Sequence, residues 1–357
     1  MILDRYIIRK FLGTFFYSII LIVSIATVFD LSEKLDDFLS KEASAKEIVF
    51  EYYLNFIPYF ANLFSSLFTF IAVIYFTSKM ASQTEIIAIL SSGISFYRLT
   101  RPYMISALII AVFTFTLSNY IIPPANKKRV DFSNKYVYTN QQTHETNIHR
   151  QISPGLYIYM SYYNTSNDVG HRFTMEEFKD GTLKRKLTAS SIRWDREKKT
   201  WHINDYYIRD IDGYHETLTS GAEMDTLINM KPEDYRVIKH VVETMTLPKL
   251  NKEIQDLRLR GVNPTEYEIE KHKRTSSAFS IFILTLIGVS LASKKVKGGL
   301  GLHLGLGILI SFSYILFLQI TTVFATSGSM PAWLAVWIPN IGFGVFAFFI
   351  YRHAARN

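Results

Sequence analysis

A single carboxylate, Glu85, stands among isoleucines in QTEIIAILSSGISFYRL, residues 83–99. The stretch is too short and too polar to cross a bilayer, and too apolar for an ordinary loop. Ser82-Gln83-Thr84-Glu85 has capping-box spacing, in which a serine and the glutamate three residues on satisfy each other's backbone at a helix start. Gly93 suits the residue that ends such a helix. The spacing therefore predicts a short helix over 82–93. Ile86, Ile89 and Leu90 make one apolar face of it; Ala81, Glu85, Ala88 and Ser92 make a second face of small side chains and one acid. Small side chains let a partner's groove approach closely, and one carboxylate can pair with an Arg or Lys inside it. The chemistry on offer is mechanical coupling to a partner. The plainer reading is that Glu85 only completes its cap, and the two roles are compatible.

Bond-making and nucleotide chemistry find no motif. There is no GxxxxGK[ST] phosphate loop, no HExxH zinc pair among the nine histidines and no GxSxG elbow. His144 and His149 read as polar loop residues. The glycine-rich KGGLGLHLGLG (297–307) opens a hydrophobic run, where glycine serves close helix packing. With no cysteine there is no disulfide, thiolate metal site or cysteine nucleophile. No catalytic residue, metal site or nucleic-acid partner is expected.

The elements that must carry this stretch are membrane spans. Uncharged runs cover Phe11–Phe29, Tyr52–Ser78, Pro102–Asn126 and Thr275–Ser293, and a fifth extends from Gly298 to Tyr351. A bilayer core of about 30 Å needs roughly 20 apolar residues per helix. The last run holds two spans, divided at ATSGSMP (325–331), for a total of six. The first run exceeds the core of a signal peptide and reads as a retained anchor. Span interiors nearly free of ionisable groups argue against a proton- or sodium-coupled carrier. Arg5, Arg9, Lys10, Lys79, Arg98, Arg101, Lys294, Lys295, Lys297, Arg352 and Arg356 flank the spans on one side, whereas the loop DLSEKLDDFLSKEASAKE after span 1 is mostly acidic. Short cytoplasmic loops concentrate Lys and Arg, so both termini are expected in the cytoplasm and residues 127–274 outside it.

Within that outer segment the pattern changes to period 2. GLYIYMSYY, HRFTMEEF, LKRKLTASSIRW and TWHINDYYIRDI alternate apolar and polar residues, with turn chemistry in NTSNDVG, KDG and DREKK. Short strands at this spacing predict a β-sandwich or jelly roll. Trp194 and Trp201 flank DREKK and are expected across a hairpin as packing residues. Leu247, Leu250, Ile254 and Leu257 then recur at helical spacing, with Gly261 as a stop. Asn263-Pro264-Thr265-Glu266 starts a second helix running into span 4. The expected order is spans 1–3 with the short helix (1–126), a β-domain (127–245), connecting helices (246–274) and spans 4–6 (275–357).

LDRYIIRKFLGTF (3–15), SKMASQTEIIAILSSGISFYRLTRP (78–102), LPKLNKEIQDLRLRGVNPTEYEIEKHKR (247–274) and GLGLHLGLGILISFSYILFLQ (299–319) resemble the LptF/LptG family of lipopolysaccharide export permeases, the opening being nearer the LptG branch. The resemblance covers essentially the whole chain. It implies a six-helix membrane protein with an inserted periplasmic β-jelly roll, non-catalytic itself and working as the permease subunit of an ABC transporter. Its implied partners are a second homologous permease, a cytoplasmic ATPase dimer that carries ATP and Mg, a periplasmic bridge protein, and lipopolysaccharide as cargo. ATPase coupling falls to Glu85, Ala88, Ser92, Gly93 and Arg98. A lipid gate between spans 1 and 5 implies acyl-chain contacts at Phe15, Ile19, Ile22 and Ile25, and at Leu309, Phe312, Leu316 and Gln319. One departure matters. Family members carry a basic cluster at the outer end of span 1, where this chain has Asp30, Glu33, Lys34, Asp36 and Asp37 with only Lys34 and Lys41 basic. Phosphate contact then rests on Lys34, on a divalent cation bridging the acids, or on a less phosphorylated substrate. The rivals are an ABC permease for another lipid or lipoprotein, and a non-transport anchor for the β-domain.

Overall fold

The protein is described by a computed structural model covering residues 2–137, 145–164, 167–228, 230, 232, 241–259, 262–296 and 299–356. Two compact units emerge: Met1–Val137, Val241–Leu250 and Thr265–Asn357 form a helical unit, and Tyr138–His240 with Asn251–Pro264 a β unit.

Helix α1 spans Ile2–Ser40, α2 Ala45–Leu63, α3 Ser65–Ser82, α4 Glu85–Ser91, α5 Phe96–Tyr136, α6 Leu247–Leu259, α7 Thr265–Ala292, α8 Gly299–Thr326 and α9 Ala332–Arg356. Helices α1, α5, α7, α8 and α9 are each long and apolar enough to cross a membrane. The run expected as a sixth span over 52–78 falls in the pair α2 and α3, which together are long and apolar enough to cross but are bent by 59°. The bend falls at Phe64, whose backbone (φ −94°, ψ 0°) leaves the helical region and starts a new axis. The expected break at 325–331 separates α8 from α9. Residues 127–136, expected in the β-domain, instead continue α5. A π-turn over Leu117–Ile121 absorbs the approach to Pro123 and Pro124, and Phe132 and Tyr136 are then buried with Phe38, Tyr52, Tyr53 and Phe56. Helix α7 starts just after Asn263-Pro264 and runs on as a span, as expected; Gly261 and Lys297 lie outside the described residues.

Packing between these helices relies on small and polar groups, because the bilayer supplies no hydrophobic drive for helices to associate. A Cβ added to Gly288 would sit 2.8 Å from Val73 Cγ1, and one at Gly307 would sit 2.5 Å from Ile74 Cδ1. Only glycine lets α7 and α8 approach α3 this closely. Buried Asn340 on α9 accepts from the Tyr314 hydroxyl at 2.9 Å and donates to the Ser276 carbonyl at 2.9 Å, tying α9 to α8 and α7.

The β unit holds six strands: β1 Glu145–Ser153, β2 Leu156–Asn164, β3 Val169–Lys179, β4 Thr182–Asp195, β5 Thr200–Asp212 and β6 His215–Thr226. They form one antiparallel sheet in sequence order. The expected strands are present, but the described ones make a single meander, not two facing sheets. Every connection is a hairpin of two to four residues, which brings each strand back against its predecessor. At the β3–β4 turn Asp180 and Gly181 both take positive φ (53° and 75°), the geometry that matches strand twist. Asp195 accepts from the backbone N–H of Glu197 (2.8 Å) and Lys198 (3.0 Å) to shape the DREKK turn. Trp194 and Trp201 are directly opposite across it, ring centroids 5.1 Å apart. Trp201 is fully buried with Met160, Phe173, Leu187 and Ile203, and its indole N–H donates to the Met230 carbonyl at 3.0 Å.

Candidate functional site

The short helix is real, but its start is not a capping box. Helix α3 continues through Ser82, whose hydroxyl donates to the Lys79 carbonyl behind it. The chain then reverses at Thr84 (φ 63°), and no side chain caps α4. The capping box fails because Ser82 belongs to the preceding helix. A box does form elsewhere, between Ser44 and Glu47 at the start of α2. At the other end Gly93 takes φ 89° as expected, and Ser95 caps α5 by accepting from the Arg98 N–H. Glycine is suited to that left-handed turn because it has no Cβ.

The faces of α4 also differ from the expectation. Ile86 is buried in the helical core with Met80, Ala81 and Phe96, and Ile89 packs beside them. Ala81 therefore belongs to the interior. The outward face carries Ile87, Ala88, Leu90 and Ser92, an apolar and small surface. Leu90, one turn after Ile86, lies at the edge of the buried face and is 36% exposed.

Glu85 and Arg98 both reach back to the first turns of α1. The Tyr6 hydroxyl donates to Glu85 Oε2 at 3.1 Å. Arg98 donates twice to Asp4, Nη1 to Oδ1 at 2.6 Å and Nη2 to Oδ2 at 2.7 Å. The bidentate fork fixes geometry as well as charge. Arg98 is thus held by Asp4, whereas Glu85 keeps acceptor capacity on its second oxygen. Asp4 and Tyr6 were not legible as site residues, since their partners lie 94 and 79 residues away.

The α8 candidates share one face. Leu309, Phe312, Leu316 and Gln319 all face outward, while His303, Gly307, Ser311 and Tyr314 face inward. The α1 candidates do not share an outward face. Phe15 and Ile19 are buried, continuing the stripe of Ile7 and Phe11 against the other helices, and Ile22 is half-buried. Phe16, Tyr17, Ile20, Leu21, Ile25 and Val28 form the open face. A helix that is apolar all round has no face that periodicity can choose.

Lys34 is enclosed by its own chain. It ion-pairs with Asp30 one turn earlier and lies 5.0 Å from the centre of the Tyr52 ring. The Tyr52 and Tyr53 hydroxyls donate to Asp30 at 3.2 and 3.4 Å. Lys41 donates to the Tyr136 carbonyl at 2.8 Å. Among the described residues no three carboxylate or imidazole side chains converge as metal ligands, in the 30–37 stretch or elsewhere.

The model of the lipopolysaccharide export system permeases LptF/LptG matches residues 5–353. The chain belongs to the LptF/LptG family. No curated protein matches it. Membership covers both halves of the helical unit and the inserted sheet, and makes the chain a multi-pass inner-membrane permease of lipopolysaccharide export. In this LptF/LptG permease, α4 sits between the two spans that follow α1, and its acid is tied to α1 itself.

Proposed function

We propose that this permease couples the ATPase cycle of a partner to release of lipopolysaccharide from the inner membrane, with α4 as the receiver and α1 as the moving part. The observation that carries this is the double tether of the α4 region to the start of α1, through Glu85–Tyr6 and Arg98–Asp4. A displacement of α4 is passed to α1 by these bonds and by Ile86 in the shared core. The partner docks on Ala88, Ser92, Leu90 and Ile87, and its Arg or Lys takes the free oxygen of Glu85. Gly93 lets the chain turn sharply behind this surface.

The assembly is an ABC transporter: a cytoplasmic ATPase dimer holding ATP and Mg, a second homologous permease, and a periplasmic bridge that receives the lipid from the β unit. Both termini are cytoplasmic and the β unit is periplasmic, supported by the basic residues at one set of helix ends. Acyl chains lie along Leu309, Phe312, Leu316 and Gln319 of one subunit and the outer part of the open face of α1 of the other, Ile20, Leu21, Ile25 and Val28, with Phe15, Ile19 and Ile22 backing that face. Lys34 reaches a lipid phosphate by exchanging Asp30 for it. The test is purification from the native membrane with mass spectrometry of proteins and lipids. Recovery of an ABC ATPase and lipopolysaccharide is expected. Recovery of the chain without an ATPase, or with a lipoprotein as cargo, would overturn the proposal.

A further inference from the structure

At the opposite end of α1 from Lys34, a groove of about 850 Å³ opens between α1, α3 and α8. Its size is that of a ligand pocket. Gly13 forms part of its wall, and a Cβ there would meet nothing within 4 Å. Tyr17, Tyr75 and Leu304 line it with apolar surface. Arg9 and Lys10 stand at its rim, both exposed. Among the described residues neither has a carboxylate at ion-pair distance; Lys10 only lies 5.9 Å from the centre of the Tyr6 ring. Arg98 nearby is committed to Asp4, so these two cations are left for something else.

Two unpaired cations above an apolar trough, with tyrosines beside them, match one chemistry. An anionic headgroup meets the charges, an acyl chain fills the trough, and the amphipathic rings sit at the level of the headgroups. We propose that the groove binds an anionic glycerophospholipid of the cytoplasmic leaflet. This rests on the orientation given above, with the start of α1 cytoplasmic. The site is separate from the export path at the outer end. Lys10 and Lys34 are 24 residues apart on one unbroken helix, about 36 Å at 1.5 Å per residue, more than the thickness of the bilayer's hydrocarbon core. A phospholipid here wedges the first turns of α1 against α3 and α8, next to the Glu85 and Arg98 tethers, and so sets the resting position of the helix that α4 moves.

The probe is phosphatidylglycerol, offered to the full transporter in nanodiscs of phosphatidylcholine with and without it, with a photocrosslinker in place of Tyr17. Labelling of phosphatidylglycerol above phosphatidylcholine is expected. Arg9→Gln with Lys10→Gln should lower it about tenfold, as expected for losing a charge-assisted contact, whereas Lys10→Arg should retain it. Gly13→Leu, which fills the trough and leaves the charges, should abolish labelling in a protein that still assembles. Equal labelling of the two lipids, indifference to the double substitution, or crosslinks to a protein subunit would each defeat the proposal. Lipopolysaccharide release measured on the same samples separates the two readings: selective labelling without export sinks the export function and spares this site.

Discussion

In the coupling we propose, Glu85 is the residue that faces both α1 and the partner. Its carboxylate accepts from Tyr6 and has room for a second donor. Glu85→Lys removes the acceptor for Tyr6 and sets a cation against the partner's Arg or Lys, so the variant should insert normally but lose the ATPase or its transport-linked turnover. Glu85→Gln keeps an acceptor for Tyr6 and loses the charge, and should fall between. Tyr6→Phe removes only the internal bond, about 0.5–1.5 kcal/mol, so it should leave ATPase binding intact and weaken the link between hydrolysis and lipid release. Pull-down yield and hydrolysis per lipid released would check all three. Normal export by Glu85→Lys, or equal loss of inserted protein in Glu85→Lys and Glu85→Gln, would make Glu85 a folding residue.

Among the elements, the contacts of α3 decide whether the spans hold together. Gly288→Leu puts a branched side chain where Val73 Cγ1 and the Phe70 ring stand 2.8 and 3.2 Å from the Cβ position. Overpacking of this kind costs about 1–3 kcal/mol, read as a lower midpoint of thermal unfolding in detergent. Gly305→Leu on α8, where nothing lies within 4 Å of the added Cβ, should leave it unchanged. In the sheet, Trp201→Ala removes a fully buried indole and its bond to Met230. A loss of about 3–5 kcal/mol is expected, seen as faster proteolysis of the segment 145–226 while the helical core stays resistant.

For the whole molecule, topology and acid response are the measurable quantities. Protease added to spheroplasts should cut within 127–274 and spare 79–101; protection of the sheet would overturn the orientation. The sheet should also weaken in acid. Hydrogen bonding from His202 and then Lys198 holds the Asp225 carboxyl below its ordinary value of 3.8, and Arg185 does the same for Asp210. A carboxylate with a depressed folded pKa stabilises above its unfolded pKa and loses that contribution as pH falls through the folded value. Hydrogen exchange in the strands should therefore accelerate as pH falls below about 4, beyond the intrinsic pH effect. Asp225→Asn with Asp210→Asn should flatten that dependence.

Local patterns in the sequence determined the apolar runs, the break at 325–331, the strands of the β unit and the turn at Gly93, because each is a matter of charge, period or backbone freedom within a few residues. The pairing of Trp194 with Trp201 was legible for the same reason, since a short turn lies between them. What only the tertiary structure decided were choices among equals. Nothing local tells which side of an all-apolar α1 is buried, and packing placed Phe15 and Ile19 inside and Phe16 and Ile20 outside. Ser82 satisfies a capping-box pattern, yet α3 continues through it because Met80 and Ala81 bury against Phe96 and Ile86. Lys34 looks like a free cation until Tyr52, eighteen residues on, closes over it. The ties of Glu85 to Tyr6 and of Arg98 to Asp4 join residues with no sequence relation. Bringing α1, α4 and α5 together is a property of the packed bundle, and so is the coupling we assign to it.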